Sequence, residues 1–128
     1  LQLANFWQDV SVDLEKGRIY LPLEVLERHG SSEADVLARR ATKGFRAALK
    51  EAVGVARELF REGLPLARKV ERRLAVDVEL FSRGGMRILD KIEAQDFDVF
   101  ARRPAISRAE RAWLLLGTLA RAALRTAA

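Results

Sequence analysis

Residues 32–60, SEADVLARRATKGFRAALKEAVGVARELF, carry the clearest periodic pattern of the chain. Apolar residues recur every three or four positions, at Leu37, Ala41, Phe45, Ala48, Leu49, Ala52, Ala56, Leu59 and Phe60. This spacing places their side chains on one face of a helix, since an α-helix has 3.6 residues per turn. Ser32, with Asp35 three residues later, is a typical N-cap. The stretch therefore predicts one long amphipathic helix that begins after Ser32 and continues to Phe60.

The rest of the chain shows helical patterns as well, and no segment shows the alternation of a strand. The predicted elements are a helix end over residues 1–13, an extended passage over 16–21, a short helix over 22–28 closed by Gly30, a break at Gly63-Leu64-Pro65, a helix over 66–92, and a last helix that starts with a capping box of Ser107 and Glu110. We therefore predict an all-α fold, with residues 1–128 forming a single helical unit.

Three positions in these helices are predicted to be structural. Gly84-Gly85 lies within the apolar stripe of residues 66–92 and indicates a kink or a close approach of two helices. Asp77 falls in the same stripe, where a carboxylate needs a partner, so we expect it to pair with an arginine. His29 lies at a helix end, where an imidazole can interact with free carbonyl groups.

Composition excludes several classes of protein. The 128 residues contain no cysteine, which excludes a disulfide scaffold, a thiolate metal site and cysteine catalysis. The single histidine excludes a histidine-rich zinc site. No apolar run approaches the roughly 20 residues of a membrane span, and no signal sequence is evident, so we expect a cytoplasmic protein. The chain begins at Leu1 rather than at a methionine, which indicates a processed product or part of a longer chain.

The net charge of +5 is unevenly distributed, because acidic residues outnumber basic ones in residues 1–30. A basic remainder indicates an anionic partner such as nucleic acid, a lipid surface or a phosphorylated ligand. Solvated arginines on helix surfaces are the more common explanation of such a composition.

Asn5, Asp9 and Asp13 are spaced four residues apart and share one helix face. Neighbouring members rise by about 6 Å, and no lysine or arginine lies between them on that face to offset the repulsion of the carboxylates. Hard oxygen ligands grouped in this way suit Mg²⁺, which binds one or two carboxylates and completes its shell with water and phosphate oxygens. Arg18 follows, and a guanidinium there could bind a diphosphate with two hydrogen bonds.

Residues 1–22, LQLANFWQDVSVDLEKGRIYLP, closely resemble the second aspartate-rich motif of the squalene and phytoene synthase family. The variant NFWQD at residues 5–9 is similar to the hydroxysqualene synthase branch of bacterial hopanoid pathways. Residues 84–93, GGMRILDKIE, together with Asp98-Val99-Phe100 and Arg103-Pro104, resemble the same branch.

The resemblance implies an all-α barrel of helices around an apolar cavity, in which Mg²⁺ binds prenyl diphosphates. It assigns Asp9 and Asp13 as catalytic metal ligands. It makes Asn5 a supporting ligand or a hydrogen-bond partner of the ligands, and Arg18, with Asn5, a contact for the substrate diphosphate. The implied reaction is the conversion of presqualene diphosphate to hydroxysqualene, with water capturing the cation.

The family also carries a first D-x-x-x-D motif, on another helix of its N-terminal half. This chain resembles only the C-terminal half, since Asp35, Asp77 and Asp90 are isolated and offer no substitute. We therefore expect the missing N-terminal half of the same domain to be a partner of this chain, and residues 1–128 alone to be inactive.

Several alternatives remain open. Within the family, the chain could belong to a presqualene diphosphate, squalene or phytoene synthase. Outside it, a non-catalytic basic helical module could bind nucleic acid or anionic lipid. No helix-turn-helix pattern or set of base-stacking aromatics is evident, so nucleic acid is not an expected partner. Arginines of the last two helices suggest peripheral contact with the inner face of an anionic membrane.

The residues around the aspartates have structural interpretations of their own. Phe6 or Trp7 could line a prenyl pocket, although packing in the core is an equal alternative. Gln8 points about 100° away from the aspartate face, so we predict that it does not position water but makes a structural hydrogen bond between helices.

Overall fold

The computed structural model describes residues 1–126, and the side chains of residues 1–124. Over this range the chain forms seven α-helices and one 3₁₀ helix, with no strand, which confirms the predicted all-α class. The α-helices are α1 Gln2–Gln8, α2 Val10–Glu15, α3 Leu23–Arg28, α4 Glu33–Leu37, α5 Lys43–Gly63, α6 Arg72–Ala94 and α7 Arg108–Thr126, and the 3₁₀ helix is Leu64–Arg68.

The predicted helix end over residues 1–13 is divided at Asp9, whose backbone (φ −102°, ψ 15°) departs from helical geometry. The hydrogen bonds nevertheless continue past this residue. The Asp9 N–H donates to the Asn5 carbonyl at 2.9 Å, and the Asp13 N–H donates to the Asp9 carbonyl at 2.8 Å. Because both are i to i−4 bonds, α1 and α2 keep Asn5, Asp9 and Asp13 in helical succession.

The single helix predicted from Ser32 to Phe60 is wrong at residues 38–42, where the structure separates α4 from α5. Arg39 adopts a left-handed backbone (φ 53°), and the Arg40 N–H donates to the Asp35 carbonyl at 2.9 Å, which closes α4 in a Schellman motif. The Thr42 hydroxyl then accepts the Phe45 N–H at 3.1 Å and caps α5. Apolar spacing continues through this loop, but two capping signals end one helix and start another.

The predicted N-caps elsewhere are confirmed. Ser32 and Asp35 form a capping box at α4, and Ser107 and Glu110 exchange the same pair of hydrogen bonds at α7. Pro22 precedes α3 as its N-cap rather than as its first residue.

Helix α5 lies at the centre of the fold and packs against α1, α3 and α6. Its buried residues are Phe45, Ala48, Leu49, Ala52, Val53, Ala56 and Phe60. They join Ala4, Trp7 and Val10 of the first two helices and Ile88, Leu89 and Ile92 of α6 in one continuous core. The core therefore fixes the position of α1, which carries the first of the predicted site residues.

The helix predicted from Leu66 begins only at Arg72, because the segment after Pro65 forms a 3₁₀ turn. Gly85 allows the predicted close approach of two helices. A Cβ atom built at this glycine would lie 2.1 Å from Cζ of Phe60 on α5, whereas nothing lies within 4 Å at Gly84. Gly85 is therefore required by packing, and Gly84 is not.

Two predictions about charged residues need correction. Asp77 is exposed and has no ion pair among the described residues, so it is not the buried carboxylate of α6. That carboxylate is Glu79, two residues on, which binds Arg83 at 2.8 Å and also Arg121 of α7. His29 contacts Glu51 of α5 at 2.6 Å rather than the last carbonyls of its own helix.

Helix α7 packs on α6 and leaves much of its apolar surface exposed. Trp113 is 76% exposed, and Leu116 is 62% exposed. On α6, Leu74 and Phe81 are also exposed. These four exposed apolar residues of α6 and α7 are therefore uncovered within the described part of the chain.

Candidate functional site

The predicted site residues lie along α1 and α2, and the opposite side of these helices is anchored in the core. Trp7 and Val10 are buried, whereas Asn5 is exposed and Asp9 and Asp13 are partly exposed. This arrangement follows from the sequence, since apolar and polar residues occupy different faces of the same helical turns. The three oxygen donors thus keep some exposure, while the neighbouring apolar side chains are buried.

Arg18 is positioned by the end of α2. Gly17 adopts a left-handed backbone (φ 68°), and the Arg18 N–H donates to the Asp13 carbonyl at 2.9 Å. This Schellman closure needs a residue that tolerates positive φ, which explains the glycine. The Arg18 side chain is exposed and makes no hydrogen bond or ion pair within the described residues. Its main chain is therefore fixed beside Asp13, while its guanidinium is accessible to an anion.

The contact that sequence reasoning missed is made by Arg103. Its Nε lies 2.6 Å from Oδ1 of Asp9. As expected, no basic residue on the same helix face neutralises the aspartates. Arg103 instead reaches Asp9 from the loop before α7. The two residues are separated by 94 positions. The Arg103-Pro104 pair stood out in the sequence, yet spacing alone could not place it beside Asp9.

The loop before α7 is attached to α1 and α2 by two further hydrogen bonds. The Gln8 amide Nε2 donates to the Pro104 carbonyl at 2.7 Å, and the Ser11 hydroxyl donates to the Val99 carbonyl at 2.9 Å. Gln8 thus makes a structural hydrogen bond of the predicted kind, although its partner is a loop rather than a helix. Residues 99–104 consequently form one wall of the candidate site.

The aromatic residues beside the aspartates have different environments. Trp7 is only 4% exposed and packs in the core, and its indole N–H has no acceptor in the described structure. Phe6 is partly exposed and stacks on Tyr20, with ring centroids 4.0 Å apart and planes 9° apart. Of the two, Phe6 is the one that remains accessible near the aspartates.

A cavity of about 420 Å³ lies beside the Arg103–Asp9 contact. It is lined by Arg87, Asp90, Lys91, Ala94, Gln95, Arg102, Arg103, Pro104 and Ala105. Arg87 and Lys91 contact Glu110 of α7 at 2.6 and 3.0 Å, and Asp90 contacts Arg57 of α5 at 2.6 Å. The lining is therefore rich in cations, several of which are already paired.

Glu110, which contacts two of the cations that line this cavity, has a strongly lowered pKa. The Ser107 N–H, Lys91 and Arg87 all stabilise its charged form, and together they lower the pKa of Glu110 from 4.5 to about 2. Glu110 is therefore ionised at neutral pH and joins the start of α7 to the last turns of α6.

The donor set on α1 and α2 fits Mg²⁺. Two carboxylates and an amide oxygen lie on successive helical turns of an accessible face, and Mg²⁺ commonly takes only one or two protein carboxylates. Among residues 1–124, no group of three or more histidine, cysteine, aspartate or glutamate side chains could enclose a metal. The described residues therefore do not form a complete metal cage by themselves.

The helices of the described region include none with the length and hydropathy needed to cross a membrane.

Comparison with known proteins gives consistent matches. The family model described as squalene/phytoene synthase matches residues 1–110. The chain is 40% identical over 116 residues to a phytoene synthase of Thermus thermophilus, and 41% identical over 104 residues to 15-cis-phytoene synthase of Synechocystis. These alignments cover 90% and 80% of this chain, but only 39% and 30% of the two relatives.

A solved structure gives the same result. The crystal structure of squalene synthase HpnC from Alicyclobacillus acidocaldarius aligns with a TM-score of 0.74 and 43% identity. The alignment covers 76% of this chain and 37% of that chain. The chain therefore spans well under half the length of the relatives that it matches.

Proposed function

The chain belongs to the squalene/phytoene synthase family, and from that premise we propose that it forms the C-terminal part of a Mg²⁺-dependent enzyme that converts presqualene diphosphate to hydroxysqualene. The proposed substrate is a prenyl diphosphate, and the proposed product belongs to squalene and hopanoid biosynthesis. The complete protein is taken to be this chain together with the N-terminal half of the same domain, which would supply the first aspartate motif.

The observation that supports this proposal is the helical succession of Asn5, Asp9 and Asp13, with the main chain of the exposed Arg18 bonded to Asp13. Three oxygen donors lie on consecutive turns, and the Schellman closure holds Arg18 next to Asp13. Oxygen donors suit a divalent cation, and a guanidinium beside them suits phosphate oxygens. Together they form one half of a site for a metal-bound diphosphate.

Each residue has a defined task in this proposal. Bound Mg²⁺ would stabilise negative charge on the departing diphosphate. Asp9 and Asp13 would hold the metal, with Asn5 as a supporting ligand. Arg18 would bind diphosphate oxygens, which its exposed position permits. Because Gln8 is occupied by the Pro104 carbonyl, we do not assign it the attacking water.

The exposed apolar residues of α6 and α7 support the proposal that more of the domain exists. Trp113, Leu116, Leu74 and Phe81 present apolar side chains to solvent. Large exposed apolar side chains that lie together commonly mark surfaces that contact another protein. We assign these residues to contact with the N-terminal part of the domain. Peripheral contact between basic residues of the chain and an anionic bilayer stays a further proposal.

The choice of reaction depends on the NFWQD variant at residues 5–9 and on the similarity to a structure described as a squalene synthase. The curated relatives reported above are phytoene synthases, so a phytoene synthase is the main alternative within the family. Presqualene diphosphate synthase and squalene synthase are the others. Product analysis separates all four.

The test incubates the complete protein with presqualene diphosphate and Mg²⁺ in ¹⁸O-labelled water, without a nicotinamide cofactor. We expect an alcohol that carries solvent oxygen, identified by mass spectrometry. Asp13→Asn should lower turnover by about two orders of magnitude or more, since electrostatic contacts to a departing group are commonly worth about 3–4 kcal/mol.

The matched control is Asp77→Asn, which removes the same charge from an exposed position without an ion pair in the described structure. It should leave turnover unchanged. A hydrocarbon formed only with reduced nicotinamide would assign the protein to the squalene synthase branch, and phytoene formed from geranylgeranyl diphosphate would assign it to the phytoene branch. Normal Mg²⁺-dependent turnover of Asp13→Asn would contradict the ligand assignment.

A further inference from the structure

The contact between Arg103 and Asp9 occupies a carboxylate that the proposed function requires for metal. The Arg103 Nε and Asp9 Oδ1 atoms are 2.6 Å apart, and the two side chains are 48% and 29% exposed. A guanidinium on Oδ1 and a divalent cation would compete for the charge of the same carboxylate. Because both side chains reach solvent, their separation needs no unfolding of the core.

The backbone on both sides of Arg103 is held in place. The Gln95 amide Nε2 donates to the Arg102 carbonyl at 2.8 Å, and Gln8 donates to the carbonyl of Pro104, a fully buried residue. Arg103 itself has no other hydrogen bond than the one to Asp9 among the described residues. Only its side chain is therefore free to leave the carboxylate.

The charges around Arg103 favour its contact with Asp9 over an orientation into the adjacent cavity. The adjacent cavity is lined by Arg87, Lys91 and Arg102 as well as by Arg103, with Asp90 as its only acidic lining residue. Turning Arg103 from Asp9 into this cavity would bring cations together, which is unfavourable. Metal binding at Asp9 would have to offset the loss of this contact.

From this competition we infer that Arg103 is a displaceable counter-ion of Asp9, which lowers the affinity of the site for divalent cations until the metal replaces it. The inference deepens the proposed function, since it depends on Asp9 as a ligand. Arg103 is here a positioning residue, because it acts on the metal through Asp9.

The test measures binding of Mn²⁺ as a probe for Mg²⁺, by electron paramagnetic resonance on the complete protein without substrate. Arg103→Gln should tighten binding about three- to fivefold, the range expected when a partly exposed ion pair no longer competes. Arg103→Lys retains the charge and should stay within about twofold of the wild type. Arg103→Met, which also removes the charge, should reproduce the glutamine variant and provides a second measurement if that variant folds poorly.

The matched control is Arg102→Gln, which removes one charge from the same cavity lining but from a side chain without a partner in the described structure. Its Mn²⁺ affinity should stay within about twofold of the wild type. Unchanged affinity in both Arg103→Gln and Arg103→Met would overturn the inference. An equal gain in Mn²⁺ affinity for Arg102→Gln would also overturn the inference. The effect would then come from the net charge of the cavity lining and not from the contact with Asp9.

Failure of the proposed function gives a different result. If Asp9→Asn binds Mn²⁺ as tightly as the wild type, Asp9 is not a ligand, and the proposed metal site is wrong whatever the Arg103 variants do. If Asp9→Asn weakens binding but Arg103→Gln changes nothing, the metal site stands and the counter-ion role is wrong.

Discussion

Helices α5 and α7 both carry large apolar side chains, but these side chains differ in exposure. On α5, which packs against α1, α3 and α6, Phe45 and Leu49 are completely buried. On α7, Trp113 and Leu116 are mostly exposed. Periodicity shows that a helix has an apolar face but not whether the same chain supplies its cover. The difference between the two regions therefore indicates where further protein would be needed.

The largest expected effect on stability is seen when one leucine from each region is replaced by alanine. Leu49→Ala should destabilise the chain by about 2–5 kcal/mol, because it leaves a cavity in the core. Leu116→Ala should change its stability by no more than about 0.5 kcal/mol, as is usual for exposed positions. Chemical denaturation followed by circular dichroism measures both.

The same pair distinguishes the chain from the complete protein. If Leu116 is covered there, Leu116→Ala should destabilise the complete protein by an amount approaching that of Leu49→Ala. A negligible effect of Leu116→Ala in both forms would show that this side of α7 is not packed against the rest of the domain.

A smaller effect is expected at the junction of α5 with α6. Gly85→Ala places a methyl group against the ring of Phe60 and should cost about 1–3 kcal/mol through overpacking. Its neighbour provides the control, since Gly84→Ala meets no atom within 4 Å and should stabilise the helix by about 0.5–1 kcal/mol. Thermal melts that move in the same direction for both variants would contradict the assigned packing.

The smallest expected effect lies at the junction of α6 with α7. Because the folded-state pKa of Glu110 is about 2, below its ordinary value of 4.5, its charged form stabilises the fold above about pH 4.5. That contribution should be lost as the pH falls from about 4.5 through 2. Glu110→Gln should therefore be less stable than the wild type at pH 7 and approach it in acid.

The control for Glu110 is Glu62→Gln, an exposed position on α5 with no ion pair in the described structure. Its difference from the wild type should be small in denaturation measured between pH 2 and pH 7. A Glu110→Gln difference that stays constant over this range would show that Glu110 acts through its hydrogen bonds and not through its charge.

The sequence was sufficient to predict local features of the fold. Capping residues such as Ser32 and Ser107, and the helix-closing Gly17 and Gly30, act within a few residues, so their roles follow from spacing. The loop at residues 38–42 was missed because the apolar period happens to continue through it. The start of α6 was missed for the same reason, since apolar residues keep a four-residue spacing in the sequence from Leu66 to Leu74, through the 3₁₀ turn.

Features that depend on distant contacts could not be predicted in the same way. The buried carboxylate of α6 is Glu79 and not Asp77, because Arg121 of α7 determines which side of the helix needs a negative charge. Likewise, the sequence predicted the aspartate face but not its counter-ion. Arg103 reaches Asp9 only after the whole core has brought the loop before α7 onto α1.

The bonds that join Gln8 to Pro104 and Asp9 to Arg103 can form only late in the synthesis of the chain. Their partners lie 96 and 94 residues apart, so nearly the whole chain must be translated before either bond can form. Contacts this distant in sequence close late, since the loop entropy is lost before they contribute. A nascent chain that ends before residue 103 would hold Asp9 without its counter-charge, so helices α1 to α6 are synthesised before this contact can form.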